Sequence, residues 1–228
     1  MEYPEVQDFE ASALGTKTYW DAVYNRENTN FKEIGDIGEI WFGEDSVERM
    51  VEWVTENVND PNAAVIDLGC GNGHLLLELA NEGYSNLTGI DYSEAAIDLA
   101  KSVADQRGLS NIHYEAVDFL QDDSWRQKTY NIVLDKGTFD AISLNPEQKA
   151  AKEQGKEGPR ERYIEATRKM MDPQGLFLIT SCNWTMEELI ESFKHHFRYH
   201  SHVKYPTFSF GGQTGSKICT VAFEPLPL

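Results

Sequence analysis

The sequence predicts an α/β fold with a seven-stranded, mostly parallel sheet, an antiparallel C-terminal hairpin and helices on both faces. Between residues 64 and 180, five short apolar runs alternate with segments of helical period, which is typical of parallel strands joined by helices. Two later extended runs, 199–205 and 217–223, have no helix between them and predict an antiparallel pair. The 228 residues suffice for one large domain with a full core.

Turn residues and helix caps mark the ends of most predicted elements. A helix over 16–30 has apolar residues at i, i+3 and i+4, and the next begins with Asp45 or Ser46 as its N-cap. Residues 185–188 (Thr-Met-Glu-Glu) form a predicted capping box for the last helix. The predicted strands cover 64–68, 87–91, 112–117, 130–134 and 176–180, and the other predicted helices cover 74–81, 93–106 and 159–171.

The chain is predicted to form one domain behind a short leader. Residues 1–15 are predicted to be a flexible leader, and residues 16–228 a single domain with an N-terminal helical segment over 16–60. The segment 145–158 is rich in Lys, Glu, Gln and Gly and is predicted to be a mobile loop. Because this loop follows the fourth strand, we expect it close to the ligand site of the parallel sheet.

Composition excludes several classes of function. The formal net charge is -18, with 38 acidic against 20 basic side chains, which argues against nucleic-acid phosphate as the main partner. No apolar run reaches the roughly 18 residues of a membrane span, and the acidic N-terminus does not resemble a signal peptide. We therefore expect a cytoplasmic protein, with the nucleus as a second location. The three cysteines form no CxxC pair, so reduced thiols are expected.

Acidic residues are concentrated in the first quarter of the chain. Residues 1–60 contain 15 acidic and 4 basic side chains. Solubility is a sufficient explanation for such a charge excess, and on charge alone we favour it. The alternative is an acidic rim that attracts a basic protein substrate.

Four predicted strands end in or beside an aspartate: Asp67, Asp91, Asp118 and Asp135. Each one alone would most simply be a solvated loop carboxylate. In a doubly wound sheet, however, ligands bind at the carboxyl ends of the strands, where these four residues come together. Such a constellation suits a ligand with several hydroxyl and amino donors and a positive centre.

The glycine loop after the first strand discriminates between two classes of cofactor. Asp67 precedes Gly69, Gly71 and Gly73 in a GxGxG spacing, whereas a dinucleotide fingerprint, GxGxxG, would have its third glycine where this chain has His74. GxGxxG serves a pyrophosphate at a helix N-terminus. An acid followed by GxGxG instead suits a ligand with an α-amino group and no phosphate.

Two further positions complete this cofactor pattern. Asp91 lies 18 residues after Gly73, at the end of the next strand, where a carboxylate can hold ribose hydroxyls. Asp118 offers a carboxylate for an adenine amino group, and Phe119 offers an aromatic face for its ring.

With these residues in place, the chain resembles the class I methyltransferases, which use S-adenosyl-L-methionine. The resemblance lies in 66–73 (Ile-Asp-Leu-Gly-Cys-Gly-Asn-Gly), 89–93 (Gly-Ile-Asp-Tyr-Ser) and 117–119 (Val-Asp-Phe). It implies a Rossmann-like seven-stranded methyltransferase sheet. These motifs are shared by many methyltransferases and specify only the fold and the cofactor.

Four narrower segments resemble the family that methylates a lysine of translation elongation factor 1-alpha. The similarity runs from about Gly15 to the C-terminus. The segments are 19–24 (Tyr-Trp-Asp-x-x-Tyr), 38–43 (Gly-Glu-Ile-Trp-Phe-Gly), 134–141 (Leu-Asp-Lys-Gly-Thr-Phe-Asp-Ala) and 180–185 (Thr-Ser-Cys-Asn-Trp-Thr).

The resemblance implies a role for each matching residue. The implied cofactor-binding residues are Trp20 over the cofactor, Asp67, Gly69 and Gly71 at its methionine part, Asp91 and Tyr92 at ribose and adenine, and Asp118 and Phe119 at adenine. Asp135 would attract and orient the substrate amine as the catalytic residue, and Phe139 and Trp184 would line the acceptor channel. Without the resemblance, core packing would be the default for Trp20, Trp41 and Trp184.

The leading hypothesis is therefore a protein-lysine N-methyltransferase that acts on elongation factor 1-alpha. We expect a monomer with a protein substrate and neither nucleic acid nor membrane as partner. Methyl transfer to nitrogen needs no metal, and we predict none. Two alternatives stay open: a small-molecule N- or O-methyltransferase with the same cofactor site, and a cofactor-binding module without catalysis, which the four intact aspartates make unfavourable.

Overall fold

The computed structural model describes residues 9–122, 128–205 and 218–227, together with the backbone of 208–210 and 213–215. Its strands are β1 (Val65–Leu68), β2 (Leu87–Asp91), β3 (His113–Ala116), β4 (Tyr130–Lys136), β5 (Met171–Ser181), β6 (Phe197–Val203), β7 (Phe208–Phe210), β8 (Gln213–Gly215) and β9 (Cys219–Pro225). Its helices are α1 (Lys17–Ile34), α2 (Glu44–Asn57), α3 (His74–Asn81), α4 (Glu94–Gln106), α5 (Thr138–Ser143), α6 (Glu147–Glu153), α7 (Pro159–Lys169) and α8 (Met186–Phe193), and a 3-10 turn spans Ala13–Gly15.

Seven strands form one mixed sheet in the order β3-β2-β1-β4-β5-β9-β6. The strands β1 to β5 run parallel, and β9 pairs antiparallel with both β5 and β6. This arrangement confirms the predicted fold, including the antiparallel C-terminal pair; Lys217 of that prediction lies outside the described residues. The chain order reverses between β1 and β4, so a ligand crevice is expected at the carboxyl ends of these two strands.

The sheet separates two hydrophobic cores, and alternate residues of one strand face each of them. Val65 packs with α2, α3 and α4, whereas Ile66 packs with α5, α7 and α8 on the other face. All four residues of β1 and all five of β2 are buried. Burial on both faces explains why these strands read as continuous apolar runs rather than alternating ones.

Three sequence predictions about local structure were wrong. The segment 145–158 is not a loop throughout, because it contains α6, whose Glu-Gln-Lys-Ala-Ala-Lys-Glu sequence consists of good helix formers. The N-cap of α2 is Gly43, and the predicted Asp45 and Ser46 lie within its first turn. The fifth strand begins at Met171, five residues before the predicted start at residue 176. The capping box at Thr185 is confirmed.

Part of the predicted leader contacts the domain. The ring of Phe9 meets Trp184 edge to face, with 4.8 Å between centroids. The backbone N–H of Ser12 donates to the carbonyl of Leu144 at 3.1 Å. Residues 1–8 lie outside the described residues, and the boundary at residue 15 stays a prediction. Among the described helices, none is long and apolar enough to cross a membrane.

Candidate active site

A cleft opens at the carboxyl ends of β1, β2 and β4, at the reversal of strand order. It contains about 1170 Å³ of space between its walls, part of it open to solvent. Its walls come from the glycine loop, α1, the segment after β3, α5 and the start of α7. The space is sufficient for a ligand of cofactor size.

The glycine loop requires glycine for two independent reasons. Gly69 and Gly71 have φ angles of 66° and 55°, which side-chain-bearing residues rarely adopt. A Cβ atom on Gly69 would lie 2.2 Å from Thr138 Oγ1, and one on Gly71 would lie 2.5 Å from the Tyr24 hydroxyl. The loop is therefore packed between α5 and α1, and any side chain there would displace one of them.

Asp91 fixes the glycine loop from the end of β2. Its carboxylate accepts hydrogen bonds from the backbone N–H of Gly71 at 3.2 Å and of Ser93 at 2.9 Å. Burial raises the pKa of Asp91 to about 6, and the two backbone donors lower it. The residue also lines the cleft, so one carboxylate both shapes the loop and faces the ligand space.

Asp67 is a buried carboxylate directly before the loop, only 3% exposed. No described residue donates a hydrogen bond to it. Burial raises its pKa and the nearby ammonium of Lys136 opposes this rise in part, so that the net pKa is about 8. Lys136 lines the cleft, but its Nζ donates a hydrogen bond to the carbonyl of Trp41, at 3.1 Å. The Asp67 carboxylate thus has unused capacity for a positively charged donor.

The opposite end of the cleft is formed by the segment after β3. Asp118 accepts hydrogen bonds from the backbone of Leu120 at 3.2 Å and from Gln121 Nε2 at 2.7 Å. Phe119 and Tyr92 line the same region. The three residues to which the resemblance gives an adenine contact therefore line the same cleft.

An aromatic wall from the N-terminal segment closes the cleft. Trp20 lines it, donates through Nε1 to the carbonyl of Leu14 at 2.7 Å, and meets Trp41 edge to face at 4.8 Å. Tyr24 and Trp41 also line the cleft, although the sequence predicted neither as a site residue. Their positions depend on how α1 folds back over the sheet, which no local pattern shows.

Asp135 lies in the interior, away from the cleft wall. Its side chain is completely buried and accepts hydrogen bonds from the backbone of Thr138 at 2.8 Å, from the backbone of Phe139 at 2.9 Å, and from the Tyr163 hydroxyl. Burial raises its pKa and the three donors oppose this rise in part, so that the net pKa is about 7. The carboxylate therefore caps the N-terminus of α5, and this geometry does not support the predicted direct contact with a substrate amine.

Phe139 and Trp184 are likewise interior residues, and neither lines the cleft. Their rings stack at 5.4 Å with 29° between the planes, and Trp184 Nε1 donates to Ser143 Oγ at 3.3 Å. Asp140 completes this packing, since it accepts hydrogen bonds from Ser181 Oγ at 2.5 Å and the backbone of Cys182 at 2.8 Å. These side chains hold the buried face of α5, whereas its other face forms the cleft wall, so the predicted acceptor channel is not lined by them.

Comparison with known proteins decides the family. A methyltransferase-domain profile matches residues 59–220. The chain is 47% identical over 218 residues to EEF1A lysine methyltransferase 2 of Danio rerio, covering 96% of this chain and 90% of that protein. The chain belongs to the EEF1A lysine methyltransferase family. The corresponding human protein is 45% identical, covering 98% and 91%, and the protein-lysine N-methyltransferase efm4 of Schizosaccharomyces pombe is 44% identical, covering 93% and 94%.

Solved structures show the same fold at low sequence identity. The N-methyltransferase NodS of Bradyrhizobium japonicum, in complex with S-adenosylhomocysteine, superposes with a TM-score of 0.63 at 15% identity, covering 89% of this chain and 98% of that one. Magnesium protoporphyrin IX methyltransferase of Synechocystis, with bound S-adenosylmethionine, gives 0.58 at 16% identity, covering 88% and 95%. This likeness concerns the fold alone.

The cleft of this family member fits S-adenosylmethionine. Asp67 does not itself line the cleft, but it directly precedes the lining residues Gly69 and Gly71 and accepts no hydrogen bond from a described residue, so its carboxylate suits the ammonium of the methionine part. Asp91, which was predicted to hold the ribose hydroxyls, and Asp118 with Phe119, which were predicted to hold the adenine, all line this cleft. Two of the three predicted cofactor-binding acids thus line the cleft, and the third, Asp67, lies directly behind the glycine loop.

The buried aspartates give a testable pH dependence. Asp67 has a pKa of about 8 in the folded protein against 3.8 ordinarily, so its contribution to stability is complete below 3.8 and is lost as the pH rises through about 8. We expect the free energy of unfolding of the ligand-free protein to fall between pH 6 and 8, on the order of 1 kcal/mol per pH unit. Urea titrations at several pH values would measure this, and Asp67→Asn should flatten the slope. A stability that rises with pH would contradict the assignment.

Proposed function

We propose that this protein transfers a methyl group from S-adenosylmethionine to a lysine side chain of the elongation factor EEF1A. The observation that carries the proposal is the 47% identity to EEF1A lysine methyltransferase 2 over 96% of the chain. The cleft supports it, because seven of the eight residues predicted to bind the cofactor line it, at the reversal of strand order.

The cofactor, when bound, supplies a methyl group on an activated sulfonium. The protein must hold the acceptor amine in line with that group and keep water out, which are effects of positioning. The walls formed by α5 and by Trp20 and Trp41 limit access to the cleft. Glu39 and Glu147 are exposed carboxylates at its edge and are placed to attract the lysine ammonium before it loses its proton to solvent.

Purified EEF1A and radiolabelled S-adenosylmethionine test the proposal directly. We expect label in EEF1A, and complete acid hydrolysis should release it as methylated lysine. Heat-denatured EEF1A and arginine-rich control proteins serve as comparisons. Label that appears only in small molecules of a cell extract, or in arginine or an α-amino group, would reject the proposed function and favour the small-molecule or another protein methyltransferase.

Methylation should weaken as salt is raised. With a net charge of -18, the protein is proposed to steer a basic face of its substrate, and such attraction between exposed charges is screened over about 8 Å at 0.15 M salt. We expect KM for EEF1A to rise several-fold between about 0.05 and 0.3 M salt, with the affinity for S-adenosylhomocysteine nearly constant. A flat KM would remove the steering argument while leaving the proposed reaction intact.

The remaining proposals concern assembly and location. We propose a monomer in the cytoplasm, with the nucleus as a second location, which binds neither nucleic acid nor membrane. The acidic composition supports the absence of nucleic-acid binding, because phosphate binding relies on clustered basic side chains. Light scattering on a sizing column and imaging of the tagged protein in cells would check mass and location.

A further inference from the structure

The linker between α1 and α2, residues 35–43, is held against the glycine loop. Asn72 of that loop donates through Nδ2 to the carbonyls of Ile37 at 3.0 Å and Glu39 at 3.4 Å. The buried carboxylate of Glu27 accepts a hydrogen bond from the backbone of Glu39 at 3.4 Å. The linker is therefore attached both to α1 and to the cofactor-binding loop.

Lys136 attaches the same linker to the end of β4. Its Nζ donates to the carbonyl of Trp41 at 3.1 Å, across a separation of 95 residues. Burial lowers the pKa of Lys136, while the carboxylates of Asp67 and Asp135 raise it. These two acidic groups therefore favour the charged form of the buried amine, which bonds to the carbonyl of Trp41, a residue of the cleft wall.

The backbone next to Trp41 adopts an unfavourable conformation. Phe42 has a φ of 65°, and among the described residues no other non-glycine residue has a positive φ. Its ring packs on Gly137, where an added Cβ would lie 3.0 Å from Phe42 Cζ and 3.5 Å from Trp41 Cε3. Such strain persists only when surrounding contacts enforce it, and it is concentrated at functional positions.

Trp41 lies in the part of the cleft next to the carboxyl end of β4. The expected adenine end, with Asp118 and Phe119, follows β3, and in the sheet order β2 and β1 separate β3 from β4. Trp41 is half-buried, and its ring meets Trp20 edge to face at 4.8 Å. An indole in this place can contact a long alkyl chain and a cationic nitrogen on its face.

From these contacts we infer that Trp41 is an acceptor-binding residue, which contacts the incoming lysine side chain, and that Lys136 positions it. The inference rests on the proposed function and adds two residues of the site to it. Lys136 touches neither the acceptor nor the methyl group in this proposal. It holds the Trp41 backbone so that the indole lies at the cleft end where the amine arrives.

The test compares Trp41→Leu, Trp41→Phe, Lys136→Met and Lys136→Arg with the wild type. Four quantities are measured: kcat, KM for EEF1A, the Kd of EEF1A for the protein loaded with S-adenosylhomocysteine, and the Kd of S-adenosylhomocysteine itself. Trp53→Leu is the matched control, because Trp53 is also partly packed by aromatic contacts but bonds to Ser201, away from the cleft. Thermal melting confirms that each variant is folded.

We expect Trp41→Leu to raise KM and Kd for EEF1A roughly tenfold, with Trp41→Phe closer to the wild type. Lys136→Met should also raise KM and Kd for EEF1A. Lys136→Arg should keep both values closer to those of the wild type, because it retains a cationic donor. The affinity for S-adenosylhomocysteine should change by less than about twofold in the Trp41 variants. Trp53→Leu should lower the melting temperature without changing KM.

Three results would overturn the inference. KM for EEF1A could be unchanged in Trp41→Leu, or the affinity for S-adenosylhomocysteine could fall by the same factor as KM, which would place Trp41 in the cofactor wall. Lys136→Arg could behave like Lys136→Met, which would remove the positioning role. If the wild type did not label EEF1A at all, the proposed function itself would fail, and this outcome is seen before any variant is compared.

Discussion

Replacing Asp91 by asparagine is expected to weaken the binding of S-adenosylhomocysteine by about a hundredfold. The carboxylate accepts from the backbone of Gly71 and Ser93, and an amide can accept from only one of them. It also lines the cleft where ribose hydroxyls are expected. Hydrogen bonds to a charged acceptor contribute about 1.5–3 kcal/mol each, so the loss of one such bond in the cofactor complex accounts for the expected change, which corresponds to about 2.7 kcal/mol.

Isothermal titration with S-adenosylhomocysteine measures the effect of Asp91→Asn, and circular dichroism checks the fold. Glu94→Gln is the matched control, because it removes one exposed carboxylate three residues further along the chain, in the first turn of α4. The control should bind like the wild type. An affinity of Asp91→Asn within about threefold of the wild type would show that Asp91 does not contact the cofactor.

Replacing Asp135 by asparagine is expected to lower the free energy of unfolding by about 2–3 kcal/mol. The buried carboxylate accepts from the backbone of Thr138 and Phe139 and from the Tyr163 hydroxyl. An asparagine NH₂ group would face at least one of these donors and leave it buried without a partner. Since α5 forms part of the cleft wall, methyl transfer should fall together with stability.

Denaturant unfolding separates this role from the one predicted from sequence. Tyr163→Phe removes only one of the three donors, so it should cost less, about 1 kcal/mol. If Asp135→Asn unfolds like the wild type while methyl transfer falls strongly at saturating cofactor, then Asp135 acts on the substrate directly. Parallel losses of stability and activity in both variants would instead support its role as the cap of α5.

Much of the sheet could be predicted from sequence because β1, β2 and β4 are short runs rich in apolar residues, with a glycine or an aspartate at or next to their carboxyl ends. The observed bounds of β2 and α3 are the predicted ones, and the antiparallel C-terminal pair is confirmed. The failures fall where local signals conflict. The residues of α6 favour a helix, but they are also polar and lie beside Gly155 and Gly158. The prediction gave more weight to their polarity, which is typical of a loop, than to their helix propensity.

The candidate site likewise contains residues that the sequence predicted correctly as lining the cleft and residues that it did not. Gly69, Gly71, Asp91, Tyr92, Asp118 and Phe119 all line the cleft, and each lies within or beside a motif whose spacing was recognisable. The resemblance implied that Asp135, Phe139 and Trp184 contact the substrate, and Asp135 lies near the carboxyl end of β4, where an acceptor was expected to enter. Sequence places a residue at the end of a strand, but not the direction in which its side chain points, and these three point into the core beneath α5.

The sequence by itself determined the α/β fold, the glycine loop that excludes a dinucleotide, and the row of acids that suits an aminated, hydroxylated cofactor. These follow from local spacing, since strand ends and glycine conformations are properties of neighbouring residues. Only the tertiary structure decided what surrounds the loop. Tyr24 against Gly71, Lys136 bonded to Trp41, and Phe42 on Gly137 join segments up to 95 residues apart. Such contacts arise only when α1 and its linker fold over the edge of the sheet.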